Sequence, residues 1–406
     1  MFSPNDFDVI VVGGGPIGLS SAYHLSKRRV RTLVLEQYTF VNQLGSSAGI
    51  SRQFRIPYPE EYMVKLVKQS IPFWDELQAL TSVPLLDKVG TLWFGDPTVH
   101  TSEGNIAEAE AALKAENVPY TSLNKDALEQ QYHFTNLPDN YVGLFQAQGA
   151  SINLKATIET LLSANRSSSF ITMKSEAPVS DVVRKDGRFY VTTPAGAFSA
   201  AKLVFTPGPF ANSVFHLLDF HIEATYWNMA SAFYKVLDPA IKYPTWFVFQ
   251  NPQGDNGNEF YGFPEVSWNY PGYIRVASDF VIKPLDSPDQ RTFIPNPQEL
   301  GFTADWVRQH MSGLAPTPEF TSTCLVALSK IPNKELLIDF APPNVAGNKD
   351  VILYATGWAG KFVPILGRIL SDLALDGRTD FDISNFQTGY KYLTAFVRSR
   401  DQSSIA

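Results

Sequence analysis

Apolar positions in this chain fall into continuous buried runs near its start, middle and end, with helical or alternating patterns between them. Asp8-Val9-Ile10-Val11-Val12 is a compact, β-branched run that predicts a buried parallel strand. It breaks at Gly13-Gly14-Gly15-Pro16-Ile17-Gly18, after which a helix is expected over about 17–28. Arg31-Thr32-Leu33-Val34-Leu35-Glu36 predicts a second strand ending in an acid. Met63, Leu66, Val67, Ile71 and Phe73-Trp74 are spaced for one buried face of a helix over 60–80. Strands are expected at 90–95 and 141–146, and helices at 103–117 and 154–165. Asp186-Gly187 predicts a hairpin turn between 181–183 and 189–191. Leu203-Val204-Phe205-Thr206-Pro207-Gly208 reads as a buried strand running into a glycine turn. The same pattern returns at 351–357, ahead of an amphipathic helix over 366–375. Between about 226 and 323 short aromatic strands alternate with Pro, Asn, Gly and Asp loops, the texture of an antiparallel sheet.

The opening strand, glycines, helix and second strand together carry chemistry. In Gly-x-Gly-x-x-Gly, Gly13 permits the tight turn, Gly15 lets backbone approach a pyrophosphate, and Gly18 lets the helix pack on the strand. The helix then aims its first N–H groups and positive dipole end at the phosphates, with Pro16 and Ile17 in its first turn. Glu36 stands where a carboxylate meets a ribose hydroxyl pair. Dinucleotide binding is the expectation.

Bulk properties narrow the class. With 406 residues the chain exceeds the size at which one core keeps growing, so two lobes are expected. A net charge of -7 without a dense Lys/Arg run argues against a nucleic-acid partner. No apolar stretch has membrane-spanning length, and the N-terminus lacks a basic-then-apolar export signal. Ser403-Ser404-Ile405-Ala406 differs from the Ser-Lys-Leu peroxisomal address. A single cysteine excludes an internal disulfide. A cytoplasmic protein, monomeric or weakly self-associating, is expected. Aromatic residues make up 13% of the chain, so most belong to the core and a subset is left to wall a site.

Four further segments give a family likeness: Ser46-Ser47-Ala48-Gly49-Ile50-Ser51-Arg52-Gln53-Phe54-Arg55, Phe260-Tyr261-Gly262-Phe263-Pro264, Cys324 ahead of Leu337-Ile338-Asp339, and Lys361-Phe362-Val363-Pro364. With the glycine loop they resemble the glycine/D-amino-acid oxidase family of flavoproteins, in the branch of sarcosine and N-methyltryptophan oxidases. The resemblance covers nearly the whole chain. It implies an α/β fold in which an FAD-binding Rossmann-like βαβ domain carries an inserted, α+β substrate domain built on an antiparallel sheet. The expected division is 1–84, 146–222 and 324–406 for the FAD domain, with 85–145 and 223–323 for the substrate domain. It also implies FAD rather than NAD, and oxidation of a C–N bond of a secondary amine, such as an N-alkyl or cyclic amino acid, with dioxygen reduced to hydrogen peroxide.

Residue by residue, the resemblance implies that Gln37, Ser46, Ser47, Val179, Gly208, Gly357 and Gly360 border the FAD, and that Arg52 lies beside the flavin. Cys324 would link through sulfur to the 8α-methyl of the flavin; alone, a single cysteine is more often an inert buried residue. Arg55, a planar fork, would clamp a substrate carboxylate with Lys361 as a second cation. Each has a plain alternative, as a solvated or helix-flanking charge. Tyr261, with Phe247 and Trp358, would wall the substrate, or serve as core.

The chain also departs from the family pattern. Gly357-Trp358-Ala359-Gly360-Lys361 is about three residues shorter than usual, and Ser329 to Pro332 looks like an insert. Ala48 replaces a histidine. Arg275 stands in place of the oxygen-activating lysine and Asp279 in place of an active-site histidine. The two share a strand face, so they form either a buried structural pair or a remodelled pocket. None of the six histidines falls in a matched motif, which argues against a histidine base or a histidine metal site. A dehydrogenase passing electrons to another acceptor, a biosynthetic enzyme for a larger aromatic or cyclic amine, and a non-catalytic flavin-binding assembly factor remain open.

Overall fold

A computed structural model describes residues 5–101, 103–331 and 336–389, together with the backbone of 393–395. The strand Asp6–Val12 is central to an eight-stranded sheet and runs parallel to Thr32–Leu35 on one side and Gly196–Phe205 on the other. Its buried, β-branched residues have no polar face to offer water, which is why it takes the middle of a sheet covered on both sides. Ile171–Lys174 extends the sheet beyond Thr32–Leu35. The long strand Gly196–Phe205 changes partner along its length. Its first half pairs antiparallel with Arg188–Thr193, and its last three residues pair parallel with Val351–Ala355. Segments from three distant parts of the chain are thereby joined at the edge that faces the glycine loop.

The helices Pro16–Lys27 and Val363–Asp376 cross closely because Gly367 has no side chain. A Cβ there would lie 2.1 Å from Ser20 Oγ. Ser20 Oγ and His24 Nε2 both reach the Pro364 carbonyl, at 3.4 and 3.2 Å, in the first turn of the later helix.

A second eight-stranded sheet runs in the order Phe320–Ser329, Ala224–Lys235, Tyr273–Ser278, Phe260–Phe263, Thr245–Phe249, Thr91–Gly95, Val142–Gln146, Thr121–Asn124. It is mixed rather than purely antiparallel, since Thr245–Phe249 runs parallel to Thr91–Gly95. That pairing joins the two sequence segments assigned to the substrate domain. Trp246 and Trp306 stack at 4.8 Å, with Phe94 and Phe134 packed beside them, so much of the aromatic content is core as expected. Trp306 lies on a helix, Pro297–His310, where the sequence pattern suggested only loops and strands. Another unexpected helix, Lys125–Tyr132, follows the N-cap Asn124. The helix expected over 103–117 is confined to Ile106–Ala115, which leaves Glu103 in the preceding loop.

The strand Phe320–Ser329 pairs along its whole length with Ala224–Lys235, placing Met229 opposite Cys324. The boundary drawn between 323 and 324 therefore falls inside a strand of the second sheet. The segment 329–332 lies partly outside the described residues, and 403–406 lies wholly outside them. No helix among the described residues is long and apolar enough to cross a membrane.

Candidate active site

A single cavity of about 490 Å³ opens at the glycine loop and runs between the two large sheets. Of the residues singled out in the sequence, it is lined by Gly13, Gly15, Pro16, Ile17, Glu36, Gln37, Ser46, Ser47, Arg52, Arg55, Val179, Gly208, Phe247, Tyr261, Arg275, Asp279, Cys324, Gly357, Trp358, Gly360 and Lys361. Gly18 and Ala48 are absent from the lining; Ala48 is buried and gives its carbonyl to Arg52. Gly18 lies under the loop, where a Cβ would sit 1.9 Å from the Gly13 carbonyl oxygen, so its task is helix packing rather than ligand contact.

At the glycine end backbone sets the shape. Gly13 has φ +112°, and a Cβ there would meet the Thr206 carbonyl oxygen at 2.3 Å. A Cβ at Gly15 would meet nothing within 4 Å. Gly15 caps the helix without a side-chain hydrogen bond and Pro16 opens it, so the first N–H groups face the cavity ready for an anion. Glu36 is buried; its Oε2 accepts from Gly14 N (2.8 Å) and its Oε1 from Tyr38 N (2.9 Å). Burial lifts its pKa above the ordinary carboxylate value, against the pull of backbone N–H groups. A carboxylate has about four acceptor positions, so Glu36 can hold the loop and still accept from ribose hydroxyls.

Two β-branched residues on the cavity wall, Val41 (φ 63°) and Thr356 (φ 64°), have left-handed backbone. Such a conformation costs of order 1–3 kcal/mol and persists where the surroundings enforce it.

In the middle of the cavity, Arg52 on the strand Ser51–Phe54 gathers its own loop. Its Nη2 donates to Ser46 O (2.6 Å) and Ala48 O (2.7 Å) and lies 3.1 Å from Cys324 Sγ. Gly360 packs closely here, since a Cβ would come 3.2 Å from the Arg52 side chain, which would have to shift by a few tenths of an ångström. Arg275 is buried, with Nη2 on Ser51 O (3.2 Å) and its guanidinium 3.7 Å from the Phe263 ring centroid. Burial brings its pKa down to about 10, which leaves it charged at neutral pH. Tyr261 pairs with Ala277 across the sheet. Burial pushes its hydroxyl up to about 12, so it remains a proton donor.

The far end differs from the expectation. Arg55 is not a free clamp: its Nη2 is paired with Glu103, its Nη1 reaches the Pro57 carbonyl at 3.3 Å, and both Arg55 and Glu103 are buried. The Arg55 guanidinium lies 4.3 Å from the Tyr58 ring and 4.8 Å from the Trp93 ring. Lys361 Nζ is bonded to Tyr58 Oη and to Trp358 O (3.1 Å), and lies 4.9 Å from that same tyrosine ring. Tyr58 thus brings together the two cations selected from sequence. The Lys361 backbone is also held, its carbonyl accepting from Ser70 Oγ (3.0 Å) and Trp74 Nε1 (2.8 Å).

Sequence reasoning missed Glu103 and Tyr58. Tyr58 follows Arg55 by three residues in an irregular segment after the strand Ser51–Phe54, so no periodicity marked it; Glu103 is distant in sequence and carried no local signal either. Among the residues lining the middle and far end, four are cationic (Arg52, Arg55, Arg275, Lys361) and two are acidic (Glu103, Asp279). None of the histidines lines the cavity, and no group of three potential metal ligands occurs among the described residues.

Comparison with known proteins agrees with this geometry. The family model described as FAD dependent oxidoreductase (DAO) matches residues 8–373. A putative bifunctional amine oxidase of Dictyostelium discoideum is 30% identical over 95% of this chain, but the match spans only 37% of that longer relative. Human peroxisomal sarcosine oxidase is 27% identical, with 94% of this chain and 95% of the relative covered. Among solved structures, NikD, described as an unusual amino acid oxidase essential for nikkomycin biosynthesis, superimposes with a TM-score of 0.88 at 33% identity, covering 94% of this chain and 97% of NikD. A Rossmann-like loop shaped for a diphosphate, one cavity leading from it to a cationic pocket, and a family match over most of the length converge: the chain belongs to the DAO family of FAD-dependent oxidoreductases.

Proposed function

We propose that this protein is an amine oxidase that takes a secondary amine bearing a carboxylate, an N-alkyl or cyclic amino acid, to its imine. The observation that carries the reading is the cavity itself, whose one end suits the FAD diphosphate and whose other end holds Arg55 and Lys361 against Tyr58. FAD supplies the acceptor for a hydride from the carbon beside nitrogen, and dioxygen, reduced to hydrogen peroxide, restores it.

The protein's own residues bind and orient. Lys361 and Arg55 attract the substrate carboxylate, which shares the Arg55 guanidinium with Glu103 or displaces it. The excess of cationic over acidic side chains disfavours an ammonium substrate and favours the neutral amine, whose lone pair is needed for hydride loss. Arg275 keeps a fixed positive charge where negative charge develops. Asp279 is left to contact a hydroxyl or cationic part of the substrate. Phe247, Tyr261 and Trp358 wall the pocket and exclude water. The Cys324 sulfur, beside Arg52, forms the covalent 8α linkage to FAD. The division into an FAD lobe and a substrate lobe, a cytoplasmic location and a monomeric or weakly associating state complete the reading.

A second reading, a biosynthetic oxidase for a larger aromatic or cyclic amine, is supported by the likeness to NikD and by Ala48, Arg275 and Asp279, where the sarcosine-oxidase pattern is not kept. One experiment addresses both readings. Purified holoprotein is mixed anaerobically with sarcosine, pipecolate and N-methyltryptophan, and the flavin absorbance is followed before air is admitted and peroxide assayed. Bleaching by a secondary amine, then peroxide, is expected, and preference for the larger, aromatic N-methyltryptophan over sarcosine and pipecolate favours the second reading. Absorbance that no amine changes would exclude amine oxidation.

A further inference from the structure

Cys324 is held from two sides. On one side is Arg52, already placed beside the flavin. On the other is Arg291, which no motif singled out. Arg291 is half-buried in the segment 285–296, which leads into the helix Pro297–His310. Its Nη1 donates to Gln43 O at 2.6 Å and its Nη2 to Thr323 O at 3.2 Å. Gln43 begins the loop that carries Ser46 and Ala48; Thr323 immediately precedes Cys324. One guanidinium thus bridges the loop around Arg52 and the strand that presents the sulfur.

Nearby bonds make this bridge part of a frame. Thr323 Oγ1 donates to Thr292 O (2.9 Å), tying the residue after Arg291 to the residue before Cys324. Gln43 Oε1 accepts from Gly49 N (2.7 Å), which closes the loop on itself. Cys324 Sγ then reaches Ser46 O at 3.5 Å within that closed loop. The Arg291 guanidinium also faces the sulfur electrostatically, and burial lowers its pKa while Cys324 opposes the change. Phe293 lies against the Arg291 guanidinium, its ring centroid 4.6 Å away, whereas Ile294 at the tip is 79% exposed and adds little to the frame.

We propose that Arg291 is a positioning residue for covalent flavin attachment, clipping the 43–51 loop to the strand Phe320–Ser329 so that the Cys324 sulfur is held at the flavin's 8α carbon. The proposal rests on the reading of Cys324 given above. The attachment exchanges the S–H bond of Cys324 and one C–H bond of the 8α-methyl for a C–S bond. Two protons leave, and two electrons enter the ring system, from which dioxygen removes them as hydrogen peroxide. A planar two-point fork suits the role because it fixes the spacing of two carbonyls as well as charge, which a lysine does not.

The test follows attachment itself rather than turnover. Apoprotein from riboflavin-limited cells is saturated with FAD under air, and samples are precipitated with acid over time to measure flavin retained in the pellet. For Arg291→Ala the first-order rate of retention should fall roughly tenfold or more, the scale on which misplaced reacting groups slow a reaction, with FAD affinity nearly unchanged. Arg291→Lys should be intermediate, and Ile294→Ser, at the exposed tip, should match the unaltered protein. Attachment in Arg291→Ala at the unaltered rate overturns the proposal. If that variant does not fold, Arg291→Lys decides, and an unaltered rate there overturns it. Release of all flavin from the unaltered protein is a different failure, that of the covalent reading itself.

Discussion

The two ends of the cavity bind by different means. At the glycine end the cradle is the backbone of the Gly13–Gly18 loop, braced by the Glu36 carboxylate and by the Thr206 carbonyl at the end of a distant strand, and the limits are steric. At the far end the contacts come from side chains on distant segments, Arg55, Tyr58, Glu103 and Lys361, and the limits are electrostatic. A phosphate offers only oxygens to bind, so a backbone cradle of N–H groups suffices. A substrate pocket must differ between relatives, and side chains are what a stable backbone can exchange.

The comparison can be broken most sharply at Arg55. Arg55→Met leaves Glu103 buried without its cation, which costs about 3–5 kcal/mol, and substrate half-saturation should rise steeply. Adding Glu103→Gln should recover much of the lost stability, because the stranded charge is gone, without recovering substrate binding. Urea unfolding of the two single variants and the double variant measures the coupling. Additive losses would mean that the pair does not hold the pocket together.

Two alanine substitutions sharpen the steric end. Gly13→Ala drives a methyl into the Thr206 carbonyl and should destabilise the fold by about 1–3 kcal/mol or more. Gly15→Ala meets open space, so apoprotein stability should stay within about 0.5 kcal/mol while FAD affinity falls roughly tenfold, about 1.4 kcal/mol. Thermal unfolding and flavin titration separate the two. An unchanged FAD affinity in Gly15→Ala would show that Gly15 does not face the ligand.

Acidity probes the surroundings of Glu103, behind the far end. Glu259 is buried, and burial first, then the nearby Glu103 carboxylate, raise its pKa from 4.5 to about 7, although Thr101 bonds its carboxyl. The folded protein therefore binds a proton that the unfolded chain has released. This stabilisation is full below about pH 4.5 and lost as pH rises through about 7. Glu259→Gln should remove that slope, an effect of order 2 kcal/mol between about pH 5 and about pH 8, read from urea midpoints. A slope unchanged in the variant would assign the proton elsewhere.

How much of this was legible in sequence follows the same division. The βαβ unit was readable because strand, glycines, helix and acid are adjacent and each obeys a local rule. The Arg52 and Lys361 positions were readable through motif likeness. The helix Pro297–His310 was not, because Asn296-Pro297 reads equally as a turn, and its buried face, Glu299, Thr303, Trp306 and Val307, carries only two large apolar residues. The parallel join of Thr245–Phe249 to Thr91–Gly95 spans some 150 residues, and no local pattern encodes such a partner. Glu103 escaped for a similar reason, as a lone acid whose meaning depends on an arginine 48 residues earlier.

The left-handed residues Val41 and Thr356 bear on engineering. Asparagine tolerates that conformation and glycine prefers it, so Val41→Gly or Thr356→Asn should relieve about 1 kcal/mol of local tension. A screen for heat resistance alone would be drawn to both positions, and either gain would come by loosening a wall of the cavity proposed to hold the flavin. Hardiness and catalytic fitness should therefore pull in opposite directions at these two sites.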